Sequence, residues 1–364
     1  MTDIALAASL PATPLTVWLA SGESQLNSGP WHGVVTPLQL DALRGETAAL
    51  ASAAALHDAG WLRRVEVRGE DRFRWLSGMV TNTVNDLPAN GGAWNLVLNA
   101  QGRIQGDLTV WREDDRLEIE VAADQYDRLL AHLDHFIIMD DVELAPVEGQ
   151  TALGLTGPRA GEILGRLGLP VLPEPLTQTR AEWNGMSLAI RRGYGVLAEH
   201  YQLWTPVATV AKLWKFLLTG GASPVGSAAL EGFRVAEGIP TYGVDILERH
   251  LAQETSQMRA LHFSKGCYLG QEIVERIRSR ASVHRHLRQL ELDGPLPAPG
   301  TDLTQDGVVS GHVTSAADLP LSGGIRRFAL AIVGAEAEAR NHPFTYQAGD
   351  TAGTARLLTG PPTL

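Results

Sequence analysis

An α+β fold of antiparallel sheets with helices packed on one face, closed by a small C-terminal β-barrel, is what this 364-residue sequence predicts. Three observations carry the prediction. The chain is longer than one hydrophobic core usually organises, so more than one domain is expected. Two strand–helix modules of similar grammar follow one another, the arrangement of an α+β chain. From about residue 284 the helical period disappears, and short β-runs alternate with Gly, Pro and Asp turns, as in a small barrel.

The elements follow in order. RRVEVRG (63–69) alternates Val65 and Val67 with charges, as a half-buried strand does. EDRFRWLSG places Phe73 and Leu76 on one helical face, with Gly78 as a stop. AWNLVLNAQGRIQGDLTVWR reads as a hairpin turning at Asn99–Gly102, and DRLEIEVA as a third strand. Asp124 is placed to cap a helix whose Leu129, Leu130 and Leu133 form one stripe, followed by the apolar run FIIM and the strand-like DVELAPV.

In the second module TALGLTG is a strand, and PRAGEILGRLG a short helix with Pro158 in its first turn and Gly168 at its end. MSLAIRRG and YQLWTP are strands. TPVATVAKLWKFLLTGG is a helix with Val210, Leu213, Trp214 and Leu217 on one side and Gly220 past its end. The barrel is read from HLRQLELDG, GVVSGHVTS, RFALAIVG and TAGTARLLTG. The predicted domains are 36–150, 151–283 and 284–364, with 1–35 as an N-terminal extension.

Composition bounds the function. The formal charge of -11 argues against a general polyanion binder, because a uniformly negative surface repels phosphate backbones. The apolar start carries Pro11 and Pro14 and no basic leader, which fits neither a signal peptide nor a spanning helix. One cysteine allows no internal disulfide and fits a reducing, cytoplasmic setting.

That cysteine lies in KGCYLGQE (265–272). QEIVERIRS carries Ile273, Val274 and Ile277 at helical spacing, so a helix is expected just after Gly270, with Cys267 in the approach to its positive end. An ordinary thiol ionises near pH 8.5 and is only about 3% thiolate at pH 7. A helix terminus and Lys265 are expected to favour the thiolate, the form that attacks electrophiles and ligates iron. Gly266 and Gly270 suit a backbone that approaches something closely. Gln271 and Glu272 serve equally as capping groups or as groups that orient the cysteine or a ligand. The run RIRSRASVHRHLR (276–288) has five arginines, two histidines and no acid, and suits a carboxylate-rich tail, an acidic partner or RNA phosphates. No stable metal site is read from His284 and His286.

KGCYLGQEIVERI, preceded by FRVAEGIPTYGVDI (233–246) and QETSQM (253–258), resembles the YgfZ branch of the folate-binding YgfZ/GcvT family. LVLNAQGRIQGDLTVWR, LDHFIIMDDVEL and LTGPRAGEIL extend the resemblance over most of the chain. It implies two ferredoxin-like α+β domains and a barrel in a clover-like arrangement around a central cavity for tetrahydrofolate or a derivative. It also implies a folate-binding role in assembling or repairing iron–sulfur enzymes, including those of tRNA modification, with Cys267 and Lys265 at the working site. One thiol cannot hold an iron–sulfur cluster alone, so any cluster contact is shared with a partner.

The resemblance further implies cofactor contacts at Asn82, Trp94, Glu199, Arg234, Tyr242, Tyr268, Gln271 and Glu272. The GcvT branch comprises aminomethyltransferases, which carry paired aspartates where this chain has Gly106 and Asp107. Those enzymes also grip the pterin with a glutamate of a TGE-type motif. Here Ala198 takes that place and Glu199 lies one residue on. An aminomethyltransferase using Asp107 is therefore the alternative, and a non-catalytic scaffold the third reading.

Overall fold

The structure is a computed structural model and describes residues 10–22, 25–280 and 283–364. The extreme N-terminal run of the apolar start and Ala281–Ser282 of the basic run lie outside the described residues. The chain divides into two compact units: one of residues 1–76, 84–94 and 108–230, the other of 77–83, 95–107 and 231–364.

The chain opens with α1 (Pro14–Gly22), the hairpin β1 (Ser28–Trp31)–β2 (Val34–Pro37), α2 (Leu43–Ser52), β3 (Ala55–Asp58) and β4 (Leu62–Arg68). Next come α3 (Arg72–Met79), β5 (Gly92–Leu98), β6 (Ile104–Arg112), β7 (Leu117–Ala122), α4 (Ala123–Asp134) and β8 (Glu143–Pro146). The second module supplies β9 (Gln150–Gly157), α5 (Ala160–Arg166), β10 (Thr177–Trp183), β11 (Met186–Arg192), β12 (Glu199–Pro206), α6 (Val210–Thr219) and the short β13 (Ser223–Pro224). Then α7 (Ser227–Glu237) and α8 (Gln271–Arg280) lead into β14 (Arg285–Asp293), β15 (Asp302–Gln305), β16 (Val308–Leu321) and β17 (Gly324–Gly334). The chain closes with α9 (Ala335–Arg340), β18 (Phe344–Ala348) and β19 (Thr351–Leu357).

Strand order is β10-β11-β12-β9-β3-β13 in one sheet and β5-β6-β7-β4-β8 in another. The barrel closes in the order β14-β17-β16-β15-β18-β19. The mixed α/β class and the C-terminal barrel are thus as expected. Period-2 burial along β6 and the buried Val210, Leu213, Trp214 and Leu217 stripe of α6 show the patterns that located them.

Several local expectations need correction. The division at residue 150 does not describe the sheets, because β3 pairs with β9 and thereby places residues 55–58 in the sheet of the second module. Residues 231–283 group with the barrel rather than with that module. The described part of 1–35 is not an appendage. Leu15 is fully buried in the core that also holds Leu213 and Trp214. Thr13 caps α1 by accepting from the Thr16 amide at 3.2 Å, and its hydroxyl also donates to buried Asp58. The N-cap of α4 is Ala122, so Asp124 lies inside the first turn. Pro158 precedes the N-cap Arg159 of α5. β10 escaped the sequence reading because its Thr-Gln-Thr-Arg run has little apolar alternation, and α9 because it is six residues long.

The two large sheets of the first unit are tied by a buried ionic ladder. Arg191 on β11 donates Nη1 to Glu120 Oε2 at 2.9 Å, Nε to Gln178 Oε1 at 3.0 Å, and Nη2 to Glu118. Arg64 on β4 grips Glu118 through Nε and Nη2, each at 2.9 Å. Trp204 and Trp111 lie under the two guanidinium groups at 4.8 and 4.9 Å. Burial alone would raise the Glu118 carboxyl, but Arg191 and Arg64 outweigh it and hold the group at about 2. Removing one partner from such a network leaves buried charge uncompensated, at a cost of about 3–5 kcal/mol. Glu118→Ala is expected to lose stability of that order in urea unfolding. Because the folded value of Glu118 is depressed, its contribution is complete above 4.5, the ordinary value, and disappears as pH falls through about 2. Glu118→Gln should flatten the stability profile of the native protein across that window.

Candidate functional site

Within the second unit, residues 77–82 and 259–269 run beside each other and are joined repeatedly. The His262 amide donates to Thr81 O at 3.0 Å, and the Leu269 amide to Gly78 O at 2.9 Å. The Thr81 hydroxyl donates to Ala260 O at 2.7 Å, and Asn82 Nδ2 to Arg259 O at 2.8 Å. These bonds satisfy backbone groups at the C-terminal end of α3, where carbonyls lack helical partners. Cys267 sits in the turn that this zipper holds, is free, and is exposed.

Lys265 occupies the centre of the zipper. Its Nζ donates to Ser77 O, Val80 O and Asn82 O, each at 2.7 Å, and lies 5.1 Å from the Tyr268 ring centroid. An ammonium has three donors, and here all three have carbonyl partners. Burial pulls the amine down to about 7, while the three carbonyls favour the charged form. Lys265 therefore anchors the turn through its backbone contacts.

The two motif glycines differ. Gly270 has φ +81°, and a Cβ there would lie 2.6 Å from Asn99 O and 3.1 Å from Gly102 Cα. Gly102, with φ +70°, would in turn meet Ile273 of α8 at 2.7 Å. This pair lets the start of α8 pack on the Asn99–Gly102 turn. Gly266 faces open space. Gln271 resolves toward capping, its Oε1 accepting from the Tyr268 amide at 3.2 Å. Glu272 is a surface residue paired with Arg276 one turn on, at 2.9 Å. Tyr268 is buried, and burial followed by nearby Glu275 pushes its phenol up to about 12.

The remaining predicted contacts are distributed over both units. Asn82 braces its own segment: its amide donates to Asn95 Oδ1 at 2.7 Å and its Oδ1 accepts from the Thr83 amide at 2.8 Å. Tyr242 directs its hydroxyl to Ile104 O at 3.4 Å. Arg234 has all five donors engaged, on Glu231, Ile239 O, Asp245 and Ser315 Oγ, which leaves none for a ligand. Glu199, in the first unit, accepts from the Gly161 amide at 2.8 Å at the start of α5 and pairs with Arg192 at 3.3 Å. Arg234 and Glu199 thus each hold together contacts of their own unit. Asp107 lies half-buried on β6, and Trp94 half-buried on β5.

Four of the five arginines of the basic run, and His286, pair with acids of the same unit. Arg276 and Arg278 pair with Glu272 and Glu275, Arg285 with Glu254, and Arg288 together with His286 with Glu338. That pairing weakens the reading of residues 276–288 as an RNA contact. Among the described residues no group of three or more His, Cys, Asp or Glu could hold a metal ion, and no helix is long and apolar enough to cross a membrane. Sequence reasoning missed the carbonyl cage of Ser77, Val80 and Asn82, because backbone acceptors have no residue signature. The only available cue was the helix stop at Gly78.

The chain is α+β, with largely antiparallel sheets, one parallel β3–β13 pairing and a closed six-stranded C-terminal barrel. The crystal structure of glycine cleavage system aminomethyltransferase T from Bartonella henselae superposes with a TM-score of 0.85, covering 97% of this chain and 98% of that one. At 20% identity this likeness speaks for the fold alone. The chain belongs to the family of the GCVT N-terminal domain, whose family model matches residues 27–265. Among relatives, the "Putative transferase At1g60990, chloroplastic" of Arabidopsis thaliana is 26% identical over 71% of this chain, which spans 60% of that protein's length. An aminomethyltransferase of Thermoanaerobacter pseudethanolicus is 23% identical over 78% of this chain and 79% of its own. Another, from Halalkalibacterium halodurans, is 24% identical over 85% and 87%.

The glycine geometry makes a paired prediction. Gly270→Ala must adopt a left-handed conformation against a backbone oxygen and should destabilise by about 1–3 kcal/mol. Gly266→Ala, in open space, should stay within about 0.5 kcal/mol of the parent. Urea unfolding of both variants checks the contrast.

Proposed function

We propose that the protein binds a reduced folate and works in one-carbon transfer on the aminomethyltransferase pattern. The observation that carries this reading is the family match over residues 27–265, supported by aminomethyltransferase relatives that align over most of the chain. In this reading Asp107 is the carboxylate beside the folate nitrogen. As that nitrogen bonds the carrier-held methylene carbon, the carbon's bond to its amine breaks and ammonia departs, Asp107 taking the proton the folate nitrogen releases; a second folate nitrogen then displaces the carrier sulfur, which leaves as the thiol.

A second reading is a folate-binding accessory factor of iron–sulfur enzyme assembly and tRNA modification that works through Cys267. The specific observation favouring it is the exposure of the chain's single thiol on an anchored turn.

Two measurements separate the readings. Titration with tetrahydrofolate should show saturable binding under either; no binding removes both and favours a scaffold. A glycine-to-tetrahydrofolate assay with the lipoyl carrier protein then decides. Aminomethyl transfer predicts turnover that survives Cys267→Ser and falls about 10²–10⁴-fold in Asp107→Asn. Folate binding without turnover, with client iron–sulfur enzyme activity lost in Cys267→Ser, would replace it with the second reading.

A further inference from the structure

We propose that the carbonyl oxygens of Ser77, Val80 and Asn82 form a receptor for a primary ammonium, filled from within by Lys265, and that this plug fixes the turn carrying Cys267. The inference stands or falls independently of the folate readings, because it concerns a contact inside the chain.

Geometry is its first support. Three carbonyls converge on one nitrogen at 2.7 Å each, matching the three N–H groups of an ammonium one for one. The acceptors lie at and just beyond the C-terminal end of α3, where unpaired carbonyls and the helix dipole draw a cation. A guanidinium presents its donors as a flat fork and does not converge on three oxygens in this way.

Residue choice is the second support. The chain uses 27 arginines and only three lysines. Lys212 and Lys215 are exposed on α6, whereas Lys265 is drawn inside. A chain that otherwise uses arginine almost throughout has a lysine where three donors meet at a point.

The consequence concerns Cys267. Lys265 is held by its ammonium, and Leu269 by its amide on Gly78 O. Between these anchors Tyr268 is buried, while Gly266 and Cys267 face solvent. The thiol thus projects from a turn pinned on both sides, and Lys265 is its positioning residue.

The single cysteine makes the test direct, since a nitroxide attached to Cys267 reports only this turn. In Lys265→Ala, spin-label motion should increase, and amide exchange at Leu269 and His262 should accelerate about tenfold or more, as expected when charged hydrogen bonds are lost. Methylammonium should reverse both changes by refilling the cage. Tetramethylammonium, which has no N–H donor, should not. Lys265→Met keeps the apolar stem and should loosen the turn without being rescued, because the stem bars entry; Lys265→Arg should not restore the parent behaviour. If Lys265→Ala does not fold, recovery of folding by methylammonium alone supports the receptor. Unchanged exchange and label motion in Lys265→Met, or equal effects of the two ammonium ions, would overturn it.

Discussion

The ammonium of Lys265, held by three backbone carbonyls, is the interaction on which the candidate site depends. It joins the end of α3 to the segment before α8, two pieces of chain nearly two hundred residues apart in sequence. Around it lie the amide bonds of His262 and Leu269 and the side-chain bonds of Thr81 and Asn82. A buried charge of this kind is tolerated only when its donors are met, and here each has an acceptor. The exposed thiol is a consequence of that anchoring rather than an isolated feature of the surface.

The first unit solves a comparable problem differently. Arg191, Arg64, Glu118 and Glu120 lie where an apolar inter-sheet layer would ordinarily be, with Trp111 and Trp204 covering the guanidinium faces. Such a network fixes the register of facing strands, because each fork must meet its own carboxylate. Asp58 extends the same use of buried polar groups by receiving the hydroxyl of Thr13 and so tying the N-terminal helix to β3. Burial raises the Asp58 carboxyl to about 6 despite hydrogen bonds from Thr13, Gly60 and Thr16.

Much of the architecture was legible because it follows from periodicity. The stripe of α6, the alternation of β4 and β6, the Asn99–Gly102 turn and the short strands of the barrel are each carried by local pattern. The domain boundaries were not legible, since the pairing of β3 with β9 is a contact across about a hundred residues that neither strand announces. At the site, the motif located Cys267 and the helix start but not the internal contacts of its neighbours. Lys265 looked like a counter-ion for the thiol because side-chain charge is visible in sequence, whereas the carbonyls that receive it are not. Glu199 and Arg234 looked available for the same reason; their partners, the Gly161 amide and Asp245, emerge only from the fold.

A family fold thus carries a local device: an internal cation that shapes the turn bearing the chain's only sulfhydryl. The chain's three lysines make the most direct measurement a simple one. In protein labelled with 15N only at the lysine side chains, one ammonium should give a resolved NH3+ resonance with slow hydrogen exchange, assigned to Lys265 by its loss in Lys265→Met, while those of Lys212 and Lys215 exchange rapidly with water. Rapid exchange at all three would contradict the carbonyl cage and, with it, the anchored turn.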